Sequence, residues 1–161
     1  MAVQGPDVGA EERQWGPQSG SFRLSISSDR AQYTGGTPII ITAVLKNVTD
    51  HPTRLVVTTP VESYSVDVRI PMPSWIPWKP QAIPTALNRT LAQPERSEVG
   101  TIANPGHERI TVYEINKLYD MSTPGEYRII FSCRQPLRQQ SDPTVHIVSN
   151  EIVVAVLSKK E

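Results

Sequence analysis

The run Ser63-Tyr64-Ser65-Val66-Asp67-Val68-Arg69-Ile70 decides the fold class. Tyr64, Val66, Val68 and Ile70 fall on one parity, and Ser63, Ser65, Asp67 and Arg69 fall on the other. Side chains of an extended strand leave alternately to opposite faces, so this period describes a ribbon with one dry and one wet side. Pro71 stops it, because proline has no N–H to give to a ladder.

The same period recurs on both sides of this run. Upstream, Phe22, Leu24 and Ile26 alternate with Ser21, Arg23, Ser25 and Ser27. Ile39, Ile41, Ala43 and Leu45 then point inward, with Ile40, Thr42, Val44 and Lys46 outward, and Leu55 and Val57 form the core side of Arg54–Thr58. Downstream, Arg109–Glu114 reads as a strand with Ile110 and Val112 buried. Tyr127, Ile129, Phe131 and Cys133 share one face of Glu126–Cys133. A last strand, Val145–Leu157, carries a bulge at Ser149-Asn150 and directs Ile152, Val154 and Val156 to the core. Between them lie turn residues: Asp29–Pro38 with Gly35-Gly36, Thr49–Pro52, and Ser122–Gly125. Ile115, Leu118 and Tyr119 switch to a spacing of three and one, which predicts a single helical or irregular turn. About seven short strands without a long helix predict an all-β sandwich of two antiparallel sheets.

Composition agrees. Fifteen prolines in 161 residues exclude a helical bundle, since each removes a backbone donor and blocks a helix interior. Lys plus Arg equals Asp plus Glu at 16 each, so nothing draws the chain electrostatically toward nucleic acid or anionic lipid. No stretch approaches the roughly 20 apolar residues of a transmembrane segment. Residues 1–20 are rich in Gly, Pro, Gln and acids without an apolar period; they read as a flexible tail and lack the basic and apolar regions of a signal peptide. The domain is expected over 21–158, with 159–161 as a short C-terminal tail.

A search for chemistry returns little. There is no G-x-S-x-G and no glycine-rich phosphate loop. His51, His107 and His146 lack metal-ligand spacing, and no calcium loop is present, so no metal and no cofactor is expected. Cys133 and His146 could approach if their strands pair, but His146 lies between Val145 and Ile147 on an expected outer face. As the lone cysteine, Cys133 can form no intrachain disulfide and reads as a buried small hydrophobe. Asn47-Val48-Thr49 and Asn88-Arg89-Thr90 match the glycosylation acceptor pattern. The expectation is a protein that is not an enzyme.

Residues 71–100 break the rhythm with six prolines and two tryptophans. A loop this long inside a compact domain is uncommon and usually functional or disordered. Trp75-Ile76-Pro77-Trp78-Lys79-Pro80 joins large aromatics to prolines that limit loop entropy, so ordering it on a partner costs little. Trp75, Ile76, Trp78 and Lys79 are the candidate contact residues; the competing placement folds both rings back as a cap on one end of the sandwich.

Tyr119-Asp120-Met121-Ser122-Thr123-Pro124-Gly125-Glu126-Tyr127-Arg128-Ile129 resembles a stretch of bacterial immunoglobulin-like modules, in which an acidic residue, a Pro-Gly turn and a Tyr open the penultimate strand. Ser149-Asn150-Glu151-Ile152-Val153-Val154-Ala155-Val156 resembles their final strand, and the opening pair of strands, with Asn47 ending the second, also fits. The pattern is similar to intracellular proteinase inhibitors of bacilli and to macroglobulin-type domains. This resemblance covers about Ser21–Ser158 outside the insertion. It implies an immunoglobulin-like antiparallel β-sandwich with Tyr127 at the tyrosine-corner position, its ring in the core and its hydroxyl on nearby backbone. It further implies a non-catalytic binding or structural module, extracytoplasmic or secreted, with an envelope protein or another protein as partner. The alternative is a proteinase inhibitor that offers its rigid loop to a protease. Edge strands of such sandwiches also leave a dimer open.

Overall fold

The computed structural model describes residues 12–59, 64–70, 75, 82, 97–136 and 144–160. Two layers of strands enclose one core. The first layer is β1 (Phe22–Ser28), β3 (Ile40–Asn47) and β7 (Glu108–Glu114), antiparallel in the order β1-β3-β7. The second runs β2 (Gln32–Thr34), β10 (Ile152–Leu157), β8 (Gly125–Pro136), β5 (Ser65–Arg69), with β9 (Thr144–Val148) paired to the far end of β8. β4 (Thr53–Thr59) and β6 (Ser97–Ala103) form a separate antiparallel ribbon. A single helical turn, α1 (Ile115–Leu118), follows β7. The protein is an all-β sandwich whose described ladders are antiparallel except β2–β10, with an isolated parallel bridge between Leu24 and Ser149.

Ten strands are present among the described residues, against about seven expected. The difference has physical causes. β2 spans only Gln32–Thr34 and is held by β10, while Gly36 supplies the positive φ (83°) of the turn behind it. The bulge at Ser149-Asn150 divides the last strand into β9 and β10. β6 starts inside the 71–100 stretch: Ser97-Glu98-Val99-Gly100 has no apolar face of its own and is a strand by virtue of pairing with β4.

The alternation becomes burial along β1, β3, β8 and β10. Phe22, Leu24 and Ile26 face Ile41, Ala43 and Leu45 within the first layer, and Tyr127, Ile129, Phe131, Cys133, Val154 and Val156 meet them from the second. Each large apolar side chain removed from water contributes about 1.5–3 kcal/mol before entropy is subtracted. At one end the layers are joined by aromatic rings: Tyr113 of β7 stands edge-on to Phe131 of β8 with centroids 5.3 Å apart, and Tyr64 lies 6.1 and 5.9 Å from the two.

Two expectations about faces are corrected. Ile110 and Val112 are not buried; each is 60% exposed. Pairing with β3 sets Tyr113 beside Ile41 and Thr111 beside Ala43, so the odd residues of β7 take the inner side and Ile110 and Val112 the outer. Conversely, Val44 points outward yet is 4% exposed, and its cross-strand neighbour Ser25 is 2% exposed. Residues 12–20, read as tail from sequence, fold back over this face. Gly16 N–H donates to Leu24 O (2.9 Å), Ser25 Oγ donates to Gln14 O (2.6 Å), and Arg23 Nε donates to Gly16 O (2.9 Å). Trp15 lies between the cations of Arg13 (5.5 Å from its ring centroid) and Lys46 (5.8 Å), and both cations reach Glu108. Residues 1–11 lie outside the described residues.

Candidate contact surface

β5 meets the core at Val68, and Val68 O accepts a 2.7 Å hydrogen bond from the N–H of Ala82, itself only 2% exposed. The chain therefore leaves β5 and is returned to it at Ala82. Between these anchors stands Trp75, in a turn and 79% exposed, the most open of the large apolar side chains described. Of the candidate contact residues named from the sequence, Trp75 is the one among the described residues, and its indole lies mostly in water. Ile76, Trp78 and Lys79 lie outside the described residues. Additional apolar surface comes from Ile110 and Val112 on β7 and from Ile102 (61% exposed) on β6.

Tyr127 is fully buried, and its hydroxyl donates to Thr123 O at 2.7 Å across the turn that opens β8. Burial, assisted by the Asp120 charge, pushes its pKa above the ordinary tyrosine value. Asp120 itself is held below the ordinary carboxylate value by the Ser122 hydroxyl and backbone N–H, which together brace the same turn.

Cys133 and His146 do not form a nucleophile–base pair. Cys133 lies opposite Ile147, and His146 opposite Arg134, so the two side chains leave the β8–β9 pair on opposite faces. Cys133 is buried and its thiol is pushed up to about 12 by desolvation, far from the thiolate that attack requires. Among the described residues no group of three or more His, Cys, Asp or Glu could hold a metal, and no helix is long and apolar enough to cross a membrane.

Several polar side chains are spent on structural hydrogen bonds. The Gln135 amide donates to Val56 O and accepts from Val56 N–H, both at 2.9 Å, so it serves as one rung of a ladder between β8 and the β4–β6 ribbon. Asn47 has no exposed surface; its Nδ2 donates to Ala103 O and His51 O, and its Oδ1 accepts from Thr49. A glycan cannot be carried on that nitrogen in the folded chain. Asn88 lies outside the described residues. An open groove of about 790 Å³ runs between Ser25–Ala31 and Asn150–Val153. Glu12–Gln14 also line it, and several of its polar groups are committed: Asp29 accepts from the Tyr33 hydroxyl, Ser28 Oγ donates to Arg30 O, and the Asn150 amide bonds Ile26.

The sequence offered no signal for Trp15, Gln135 or Asn150 as organising residues. Their roles depend on which backbone comes to lie beside them, and that is set by long-range pairing.

No protein-family model and no curated protein matches this sequence. Among solved structures it is similar to a β-glucosidase from Erythrobacter marinus (13% identity, TM-score 0.46, covering 85% of this chain and 15% of that one). It is also similar to a β-glucosidase from Listeria innocua in complex with isofagomine (14% identity, TM-score 0.42, covering 86% and 16%). The chain thus spans about one sixth of the length of these enzymes, and likeness at this level carries no argument about what it does.

Proposed function

We propose that this chain is a non-catalytic contact module of the immunoglobulin-like kind, engaging a protein partner through the excursion that carries Trp75. The observation that supports it is the 79% exposure of that indole on a segment pinned to β5 on one side and to the core through Ala82 on the other. Aromatic side chains in such positions dominate the energetics of protein contacts. The separation of Cys133 from His146 removes the one nucleophile–base pair that the sequence suggested.

Cross-linking mass spectrometry on the full chain in an extract of its own cells tests this reading. Cross-links to a partner should cluster around the Trp75 excursion and weaken at least about tenfold in Trp75→Ala, the loss expected of an interface anchor. Cross-links that concentrate elsewhere, or that ignore the substitution, overturn it. The same anchoring favours one more specific partner, because an inhibitory loop must be both exposed and held. Micromolar wild-type protein inhibiting a member of a protease panel, with inhibition lost in Trp75→Ala, would identify the partner as a protease.

A further inference from the structure

The layer β1-β3-β7 has two outer strands, and they are finished differently. From Phe22 to Ile26 every second residue of β1 is met from outside. Phe22 exchanges backbone bonds with Ser19 (3.0 and 3.2 Å), Leu24 accepts from Gly16 N–H and is bridged to Ser149, and Ile26 bonds both ways with the Asn150 amide (2.8 and 3.0 Å). On β5, an outer strand of the second layer, Val68 O is taken by Ala82. β7 has no such cover. Its ladder to β3 is framed by Asn47 N–H on His107 O and Ile115 N–H on Ile39 O, so odd residues bond β3 and even residues turn their backbone outward. Among the described residues, no hydrogen bond reaches the backbone of Ile110 or Val112.

An uncovered edge is a template for another strand, and proteins usually break such edges with charge, proline or a bulge. β7 runs seven residues in unbroken register without proline, and Ile110-Thr111-Val112 at its middle carries no charge. The open backbone fixes the conformation of an occupant, because only an extended chain offers donors and acceptors at the same spacing. Side chains fix its sequence. Glu108, Ile110, Val112 and Glu114 share one parity, so an antiparallel strand sets four alternate residues opposite Glu114, Val112, Ile110 and Glu108 in turn. The two central places suit β-branched apolar residues, which would cover the exposed Val112 and Ile110. Glu114 holds one cation, the exposed Lys117 at 2.7 Å, and takes a Lys or Arg opposite it. Glu108 is already shared by Arg13 (3.1 Å) and Lys46 (3.7 Å), and takes a hydroxyl. A second copy of β7 fits poorly: the antiparallel register that sets Ile110 against Val112 in both directions also sets Glu108 against Glu114 twice.

We propose that the outer edge of β7 is a strand-addition site for an extended segment of a partner protein. From its N-terminal end that segment carries Lys or Arg, then Val or Ile, then Val or Ile, then Ser or Thr, at alternate positions. It runs antiparallel to β7, exchanges both backbone hydrogen bonds with Val112 and with Ile110, and takes their side chains out of water. This site is independent of Trp75.

The test titrates the full chain into a fluorescein-labelled, amidated peptide, Gly-Gly-Lys-Thr-Val-Thr-Val-Thr-Thr, and follows anisotropy. Binding should saturate below about 1 mM. N-methylation of both valines removes the N–H groups that would face Val112 O and Ile110 O, and should weaken binding at least about tenfold. N-methylation of the threonine between them, whose N–H points away from β7, should change it by less than about threefold. No saturation below about 1 mM, or equal loss from the two kinds of methylation, overturns the proposal. Hydrogen exchange on the protein alone tests whether the edge is free. Thr111, bonded to β3, should exchange slowly, while Ile110 and Val112 should lie within about tenfold of an open amide. Protection of Ile110 and Val112 at every concentration would put another segment of this chain on the edge, and protection that grows with concentration would put a second copy there. Either result overturns the proposal.

Discussion

Tyr127 combines a fully buried ring with a hydroxyl that ends on Thr123 O. Thr123 is exposed, so its carbonyl can take water when the phenol is removed. Tyr127→Phe is therefore expected to cost about 1 kcal/mol in urea unfolding, the net worth of one hydrogen bond rather than of a stranded acceptor. An unchanged midpoint would show that the hydroxyl contributes nothing. On the same face of β8, Cys133 predicts a pH effect. Its thiol ordinarily ionises near 9.0, and burial holds the proton in the folded state up to about 12. The unfolded chain therefore releases this proton first. The stabilising contribution is complete below pH 9 and is lost as pH rises through about 12. Cys133→Ala should flatten that part of the alkaline stability profile, and in the wild type a disulfide reagent at pH 8 should label the thiol only after unfolding.

Elements here owe their existence to different terms. β1, β3 and β8 carry their own instructions, since one parity is apolar along most of each strand and a one-residue slip would turn it to water. β6 and β2 do not: Ser97-Glu98-Val99-Gly100 and Gln32-Tyr33-Thr34 are strands because β4 and β10 complete their hydrogen bonds. β7 is the instructive case. Both of its parities hold apolar or aromatic side chains, Ile110 and Val112 on one and Tyr113 on the other, so the pattern does not choose a face; the register with β3 and the Tyr113–Phe131 contact do. Attachment of the β4–β6 ribbon gives a prediction at this scale. Gln135→Leu removes both partners of Val56, leaving a donor and an acceptor in a partly buried place, and should cost about 2 kcal/mol. Hydrogen exchange should then accelerate at Val56 and its ribbon neighbours while Ala43 and Leu45 keep their protection. Uniform acceleration would mean that the amide is no local latch.

At the scale of the whole molecule, stability and the proposed contact rest on different aromatic residues. Phe131→Ala opens a hole where two layers meet and should lower stability by about 3–5 kcal/mol. Trp75→Ala removes a ring that is mostly in water and should move stability by less than about 0.5 kcal/mol, measured by thermal or urea denaturation. A large loss at Trp75 would return the ring to the role of a buried cap and withdraw the proposed contact surface. Half of this site was legible in the sequence: prolines and tryptophans crowded into one interval marked 71–100 as unusual. The other half was not, because the bond from Ala82 to Val68 and the pairing of Ser97–Gly100 with β4, which tie that interval down, join residues far apart in the chain.

By itself the sequence determined that this chain is made of strands, that Tyr127, Ile129, Phe131 and Cys133 lie together in a dry interior, and that its lone cysteine can form no intrachain disulfide. Those properties follow from local parity and composition, which every neighbouring pair of residues repeats. Tertiary structure alone decided the outer face of β7, the folding of residues 12–20 onto β1, and the use of Gln135 and Asn150 as substitutes for backbone. Each of these depends on a partner far away in the chain, and an amide or an isoleucine reads the same in sequence whichever backbone comes to lie beside it.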